Sequence, residues 1–177
     1  MSDTEKYAPG AADVARVQKD GETWTLVLTK DLRHPPEKVW RALTEPAHLR
    51  EWAPFDASAG LGTVGPVNVT WVGAPAPIET HVTRADAPTL LEYTSGDNAM
   101  RWELERRSDG TRLTLWASID RRYIAMGAAG WHIAFDVLER LLDEAPIGRI
   151  AGAAAMQFDG WQRLHTEYAQ QFQGVTP

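Results

Sequence analysis

The side chains that could carry chemistry in this chain are histidines with a neighbouring acid or phenol. His132 and Asp136 lie four residues apart in an amphipathic segment, a spacing that suits a pair of metal ligands or a carboxylate that orients a histidine base. His81 lies in the alternating stretch IETHVTRAD. There it could act as a general base together with Tyr93, or as a hydrogen-bond partner for a bound molecule.

Both histidines also have a purely structural interpretation. His132 and Asp136 share a charged arc of the predicted helix with Glu139 and Asp143, which favours a solvated face. No third ligand lies nearby in sequence, so no metal is expected. His81 faces either the interior or solvent, depending on which face of its strand is buried, and the sequence leaves both open. We expect no catalytic set, because no Ser–His–Asp or Cys–His arrangement is evident.

A further candidate is the stretch GLGTVG at residues 60–65, which matches the G-x-G-x-x-G pattern of dinucleotide-binding loops. That pattern binds a pyrophosphate only where it follows a buried strand and opens a helix. Here it precedes Pro66 and the stretch VNVTWVG, in which Val67, Val69 and Trp71 alternate with polar residues as in a strand. We therefore expect a glycine-rich turn that leads into a sheet, and no nucleotide cofactor.

The composition excludes several classes of function. The 177 residues contain no cysteine, which rules out disulfides, thiolate metal sites and cysteine nucleophiles. A formal net charge of −6 without a cluster of Lys or Arg argues against a nucleic-acid partner. No stretch is long and apolar enough for a membrane span, and MSDTEKYAPG lacks the basic and apolar regions of a signal peptide. We expect a cytoplasmic protein without a membrane partner.

The elements that must position these side chains follow from changes in hydrophobic period. Asp20-Gly21 predicts a hairpin turn, and HPPEKVWRALTEPAHLREW predicts two short helices. Residues 67–120 read as consecutive antiparallel strands, because short alternating stretches are separated by turn residues. GWHIAFDVLERLLDEAP predicts a long amphipathic helix whose apolar stripe must pack on the sheet. The predicted fold class is α+β, a curved antiparallel β-sheet wrapped around a long C-terminal helix.

We expect residues 1–12 to be a flexible lead-in and residues 13–177 to form one domain. A sheet that grips a helix commonly leaves a cavity for a small ligand between them. The side chains predicted to line this cavity are Trp71, His81, Tyr93, Trp102, Trp116 and Phe135. Trp71, Tyr93, Trp102 and Trp116 come from four different strands, and ordinary core packing is their alternative role.

The stretch HPPEKVWRALTEPAHLREW resembles the opening signature of the Hsp90-ATPase-activator-like branch of the START-like (SRPBCC) superfamily. That signature is a strand followed by Pro-x-x-x-Val-Trp-x-Ala-Leu-Thr-x-Pro, then an apolar residue and a tryptophan. The positions that match are Pro36, Val39, Trp40, Ala42, Leu43, Thr44, Pro46, Leu49 and Trp52. GWHIAFDVLERLL and GWQRLHTEY are similar to the family's C-terminal helices, so the resemblance runs from about Gly21 to Phe172.

The resemblance implies a helix-grip fold with an apolar cavity, in which two short helices follow the first long strand. The superfamily includes lipid and hormone carriers, polyketide cyclases and the C-terminal domain of eukaryotic Hsp90 activators. Binding of a small hydrophobic molecule is therefore the leading hypothesis, and a cyclase- or hydrolase-like enzyme using His81 and Tyr93 is the second. An Hsp90-type chaperone partner in the stress response is the third, although residues 1–20 cannot form the separate N-terminal Hsp90-binding domain of the eukaryotic activators. A homodimer is a further expectation from the family.

Overall fold

The computed structural model describes residues 3–173 of the chain. The strands are β1 (Ala15–Asp20), β2 (Thr23–Leu32), β3 (Phe55–Ala57), β4 (Gly65–Trp71), β5 (Ile78–Asp86), β6 (Leu90–Ser95), β7 (Asn98–Arg107) and β8 (Gly110–Ile119). The helices are α1 (Asp3–Lys6), α2 (Pro36–Thr44), α3 (Pro46–Trp52), α4 (Ile124–Leu142), α5 (Gly152–Met156) and α6 (Asp159–Gln171), with a 3₁₀ turn at Arg121–Tyr123. Within this part of the chain, no helix has the length and apolar character needed to span a membrane.

All eight described strands belong to one antiparallel sheet in the order β1-β2-β8-β7-β6-β5-β4-β3. The sheet curls into a half-barrel around α4, and α2 and α3 follow the first long strand, so the predicted α+β helix-grip fold is confirmed. The predicted hairpin is also confirmed, because Asp20 pairs with Thr23 across a two-residue turn. Strand β3 was not predicted, since three residues are too few to show a period.

The period-two alternation of β8 shows how the sheet separates its two faces. Leu113, Leu115 and Ala117 are buried on the inner face, whereas Thr114 and Trp116 are only partly buried on the outer face. The inner face packs on α4 through aromatic contacts such as Trp102 with Phe135 on the helix, whose ring centroids lie 6.0 Å apart. The core therefore lies between the concave sheet and α4.

Helix α4 is buried on its other side as well. Helix α6 packs there through an apolar stripe, in which Leu164 and Tyr168 are fully buried. His132 is only 3% exposed, so the prediction that it lies on a solvated face with Asp136 is wrong. An amphipathic pattern shows which side of a helix is the more apolar, but it does not show whether a second helix covers the polar side.

The N-terminal segment covers part of the same side of α4. Tyr7 is buried and stacks on Phe158, with ring centroids 5.9 Å apart, and its hydroxyl donates to the carboxylate of Asp136. Thr4 donates to the carbonyl of Ile147. Residues 3–12 are thus held against the domain by side-chain contacts.

The stretch GLGTVG forms the turn that its context predicted. Residues 60–64 lie in a loop and Gly65 begins β4, so no helix follows the glycines. Leu61 is fully buried, and its backbone N–H donates to the carbonyl of Thr44 at 2.9 Å. The loop is therefore tied to the end of α2 and has no helix N-terminus with which to hold a pyrophosphate.

Gly110, in the β7–β8 turn, packs closely against the connection between β2 and α2, so a substitution there tests that packing. Its φ is +155°, and a Cβ atom there would lie 1.9 Å from the backbone oxygen of Leu32. We predict that Gly110→Ala lowers the free energy of unfolding by more than about 2 kcal/mol, because neither backbone can move cheaply. Urea denaturation measures this change. Gly10→Ala, which meets no atom within 4 Å, is the control, and equal losses in both variants would contradict the prediction.

Candidate functional site

A cavity of about 550 Å³ lies between the inner face of the sheet and the beginning of α4, and we call it the main cavity. Strands β4 to β8 supply most of its wall, and β2, β3 and the residues around the 3₁₀ turn complete it. Its lining residues are Leu26, Phe55, Val69, Trp71, Ile78, Thr80, Tyr93, Ser95, Gly96, Asn98, Ala99, Met100, Ala117, Ser118, Ile119, Asp120, Tyr123 and Trp131. The surface inside it is mainly apolar.

The deep wall of the main cavity is aromatic. Phe55 lies between Trp71 and Tyr93, with ring centroids 5.1 and 6.4 Å away. Trp71 meets Trp131 of α4 edge to face, at 6.3 Å and an interplanar angle of 87°. Contacts of this geometry are favourable arrangements of aromatic rings. The wall therefore offers an apolar surface against which a flat or flexible hydrocarbon can pack.

Uncharged hydrogen-bonding groups lie along one side of the same cavity. The hydroxyls of Thr80 and Ser95 are 2.7 Å apart, and Thr80 is 1% exposed. Ser118 exchanges hydrogen bonds with the backbone of Ala99, accepting at 2.6 Å and donating at 3.0 Å. Such hydroxyls orient a ligand that carries a hydroxyl or carbonyl group.

The charge of the lining is low and negative. Asp120 accepts from Arg122 at 2.8 Å, and hydrogen bonds from that residue lower the pKa of its carboxyl to about 2. Asp120 is therefore ionised at neutral pH and already paired. None of the described residues that line the main cavity is Lys, Arg or His. A carboxylate or phosphate on a ligand would find no cationic side chain in this lining.

Tyr93 joins the cavity wall to the core behind it. The indole N–H of Trp102 donates to the Tyr93 hydroxyl at 2.9 Å, and both side chains are buried. Burial raises the pKa of the Tyr93 phenol, so that it stays protonated. Tyr93 therefore provides a neutral hydroxyl at the wall and is not suited to act as a base.

The structure brings some of the predicted site residues together and separates others. Trp71 and Tyr93 line the main cavity. Trp102 and Phe135 lie directly behind it, where Trp102 contacts Trp131 at 5.6 Å. His81 and Trp116 are on the outer face: the His81 ring is 2.9 Å from Glu79, and the Arg101 guanidinium stacks over Trp116 at 5.7 Å.

Sequence reasoning missed several lining residues. Phe55 lies on the short strand β3, which has no detectable period. Trp131 lies on the same helical stripe as Phe135, one turn nearer to the N-terminus of α4, where the main cavity separates the helix from the sheet. Its place on that stripe was the one sequence signal that could have identified it. Thr80 and Ser95 could not be distinguished from other strand hydroxyls.

The arrangement does not support a catalytic pair of His81 and Tyr93. The two residues lie on neighbouring strands, but Tyr93 is buried on the inner face whereas the His81 side chain is 54% exposed on the outer face. A base and its partner must lie within hydrogen-bond distance of one reacting group. Among residues 3–173, no group of three His, Cys, Asp or Glu side chains is arranged to hold a metal ion.

His132 and Asp136 belong to a separate polar cluster on the side of α4 that faces α6. The Tyr168 hydroxyl lies 2.7 Å from Nδ1 of His132, and it also accepts from the backbone N–H of Val14. Asp136 accepts from Tyr7 and, at 2.5 Å, from Lys30. These bonds join the N-terminal segment, β2, α4 and α6. None of these side chains lines the main cavity, and their hydrogen bonds indicate a structural role.

The burial of His132 predicts a pH dependence of stability. Desolvation lowers its pKa below the ordinary value, which is also that of the unfolded chain. The unfolded state therefore takes up a proton first as the pH falls below about 6.5, and the stability contributed by neutral His132 is lost. We predict that wild-type stability falls more steeply between about pH 7 and pH 5 than that of His132→Asn, which keeps a hydrogen-bond acceptor but does not titrate. Urea denaturation at a series of pH values tests this, and parallel curves would show the prediction to be wrong.

Comparisons with known proteins agree with this architecture. The family described as activator of Hsp90 ATPase homolog 1-like protein matches residues 33–143. A conserved protein of unknown function from Enterococcus faecalis has 16% sequence identity and a TM-score of 0.71, with 92% of each chain covered. No curated protein sequence matches this chain.

Shorter solved structures each cover about two thirds of this chain. A Mesorhizobium loti protein has 26% identity and a TM-score of 0.59, covering 68% of this chain and 97% of its own. An AHSA1-like protein from Aeromonas hydrophila has 19% identity and a TM-score of 0.54, covering 68% of this chain and 93% of its own.

Proposed function

Because the chain belongs to the family of activator of Hsp90 ATPase homolog 1-like proteins, whose helix-grip fold it shares, we propose that it binds a small, largely apolar molecule in the main cavity. The cavity carries this proposal. Its volume of about 550 Å³ lies within the range of small-molecule sites, and aromatic side chains line much of it. Protein interiors are otherwise close-packed, so a space of this size beside Trp71 and Trp131 is suited to an occupant.

The side chains of the cavity define the chemical class of that occupant. With Asp120 paired to Arg122 and no cationic side chain among the described lining residues, an uncharged ligand is favoured over an anion. The hydroxyls of Thr80 and Ser95 can bond one hydroxyl or carbonyl group. The expected ligand is therefore an apolar molecule with one or two neutral polar atoms.

The location of the exposed apolar side chains favours ligand binding over a protein-interaction module. Four large apolar residues are exposed in the described part of the chain: Val64, Ile78, Tyr123 and Met156. Ile78 and Tyr123 border the main cavity, where they suit a ligand entrance. A docking surface for an Hsp90-type partner would need a contiguous apolar patch. An Hsp90-type partner and a role in the stress response therefore stay predictions.

Native mass spectrometry of the purified protein, repeated after denaturing extraction, tests this proposal. We predict a releasable uncharged small molecule bound to the wild type. Ala117→Phe places a ring in the main cavity and should lower the ratio of bound to free protein at least about tenfold, equivalent to about 1.4 kcal/mol of binding free energy. Thr114→Phe adds the same ring to the outer face of the same strand and is the matched control.

Nile red, a neutral apolar dye, serves as the probe if the purified protein carries no ligand. Its fluorescence should rise on binding to the wild type and to Thr114→Phe, and much less with Ala117→Phe. Equal dye binding by all three proteins would place the site elsewhere. Failure of the wild type to bind either the dye or a natural ligand would contradict the proposed function.

A further inference from the structure

A second, smaller cavity of about 230 Å³ lies beyond the aromatic wall, and we call it the small cavity. It is formed by α4, α5 and α6 together with the residues before β3 and α5, and it is partly open to solvent at Met156. Side chains that line it include Pro54, Met126, Ile150, Ala155, Met156 and Trp161. The only polar side-chain atoms among its described lining residues are indole nitrogens. Such a lining suits a hydrocarbon and offers little to a polar group.

Two side chains form the partition between the cavities. Trp71 and Trp131 line both of them, and their rings meet edge to face at 6.3 Å. Trp71 is only partly buried, so its ring is not confined on every side. The two spaces therefore share these two indoles as part of their walls.

The small cavity depends on a part of the chain that the family match does not include. That match ends at residue 143, whereas α5 and α6 follow it. Helix α5 is held close to the sheet because Gly152, with φ of +70°, approaches Val72 so closely that a Cβ atom would lie 2.8 Å from its side chain. Arg149 ties the preceding segment to Asp56 at 2.7 Å. The lid formed by α5 is thus positioned by contacts of its own.

We infer that the ligand is an amphiphile with an unbranched hydrocarbon tail that turns the partly buried Trp71 ring aside and reaches past Trp131 into the small cavity. This inference rests on the proposed function. The neutral polar end binds beside Thr80 and Ser95 in the main cavity, and the tail packs against Met126 and Met156. Methionine side chains are flexible and adapt to a chain of variable conformation.

A series of primary alcohols, from butanol to decanol, tests this inference on the unmodified protein. Each buried methylene raises affinity by up to about fourfold, so affinity should keep rising with tail length. The main cavity alone, at about 550 Å³, has room for decanol, so the variant described below assigns the gain to the small cavity. From hexanol to decanol, we expect a gain on the order of a hundredfold, measured by displacement of Nile red. Affinity that stops rising at hexanol would overturn the inference while leaving the proposed function intact. Failure of every alcohol to bind would overturn both.

Gly130→Leu provides the matching variant. Gly130 lines the small cavity, and a Cβ atom there meets nothing within 4 Å, so a leucine can extend into open space. The change also replaces glycine inside a helix by a better helix former, which favours folding. We expect the gain from hexanol to decanol to fall below about tenfold, with hexanol binding unchanged within about twofold. Gln170→Leu, an exposed position on α6, is the control and should retain the full gain. An unchanged gain in Gly130→Leu would overturn the inference.

Discussion

The structure depends on the burial of α4 between two partners, the concave sheet on one side and α6 with the N-terminal segment on the other. The C-terminal half of α4 carries large apolar side chains, among them Phe135 and Leu138, and it fills the space that it meets. The N-terminal half reads IAMGAAGW, in which glycine and alanine predominate. Small side chains there leave room on either side of Trp131. The location of both cavities thus follows from where α4 changes from small to large residues.

The two sides of α4 make different kinds of contact. On the sheet side, Trp131 and Phe135 contact Trp102, and the polar atoms of the main cavity lie on the strands. On the other side, His132 and Asp136 hold α6, β2 and the N-terminal segment through hydrogen bonds. Loss of any member of a buried polar cluster lowers stability, because its partners are left without a hydrogen bond. The cluster therefore fixes how these elements are arranged.

Much of the fold could be predicted from the sequence, but less of the site. The hairpin at Asp20-Gly21, the two short helices and the long helix followed from local patterns, because turn chemistry and period act over a few residues. Placement of His81 and Trp116 required knowing which strand face is concave, which depends on the curvature of the whole sheet. His132 was misplaced because only tertiary structure reveals that α6 covers it. Trp71 and Tyr93 were predicted to line a cavity and do so, whereas Trp116, chosen by the same reasoning, lies on the outer face beside Arg101.

Fluorine NMR of protein labelled with fluorotryptophan and titrated with Nile red tests most directly whether the main cavity is a ligand site. Each tryptophan gives its own resonance, assigned by single substitutions to phenylalanine. Because Trp71 and Trp131 line the cavity while Trp116 lies on the outer face, the first two resonances should shift as dye binds and the third should not. Shifts confined to Trp116, or saturating dye binding without any change at Trp71 and Trp131, would contradict an interior site between the sheet and α4.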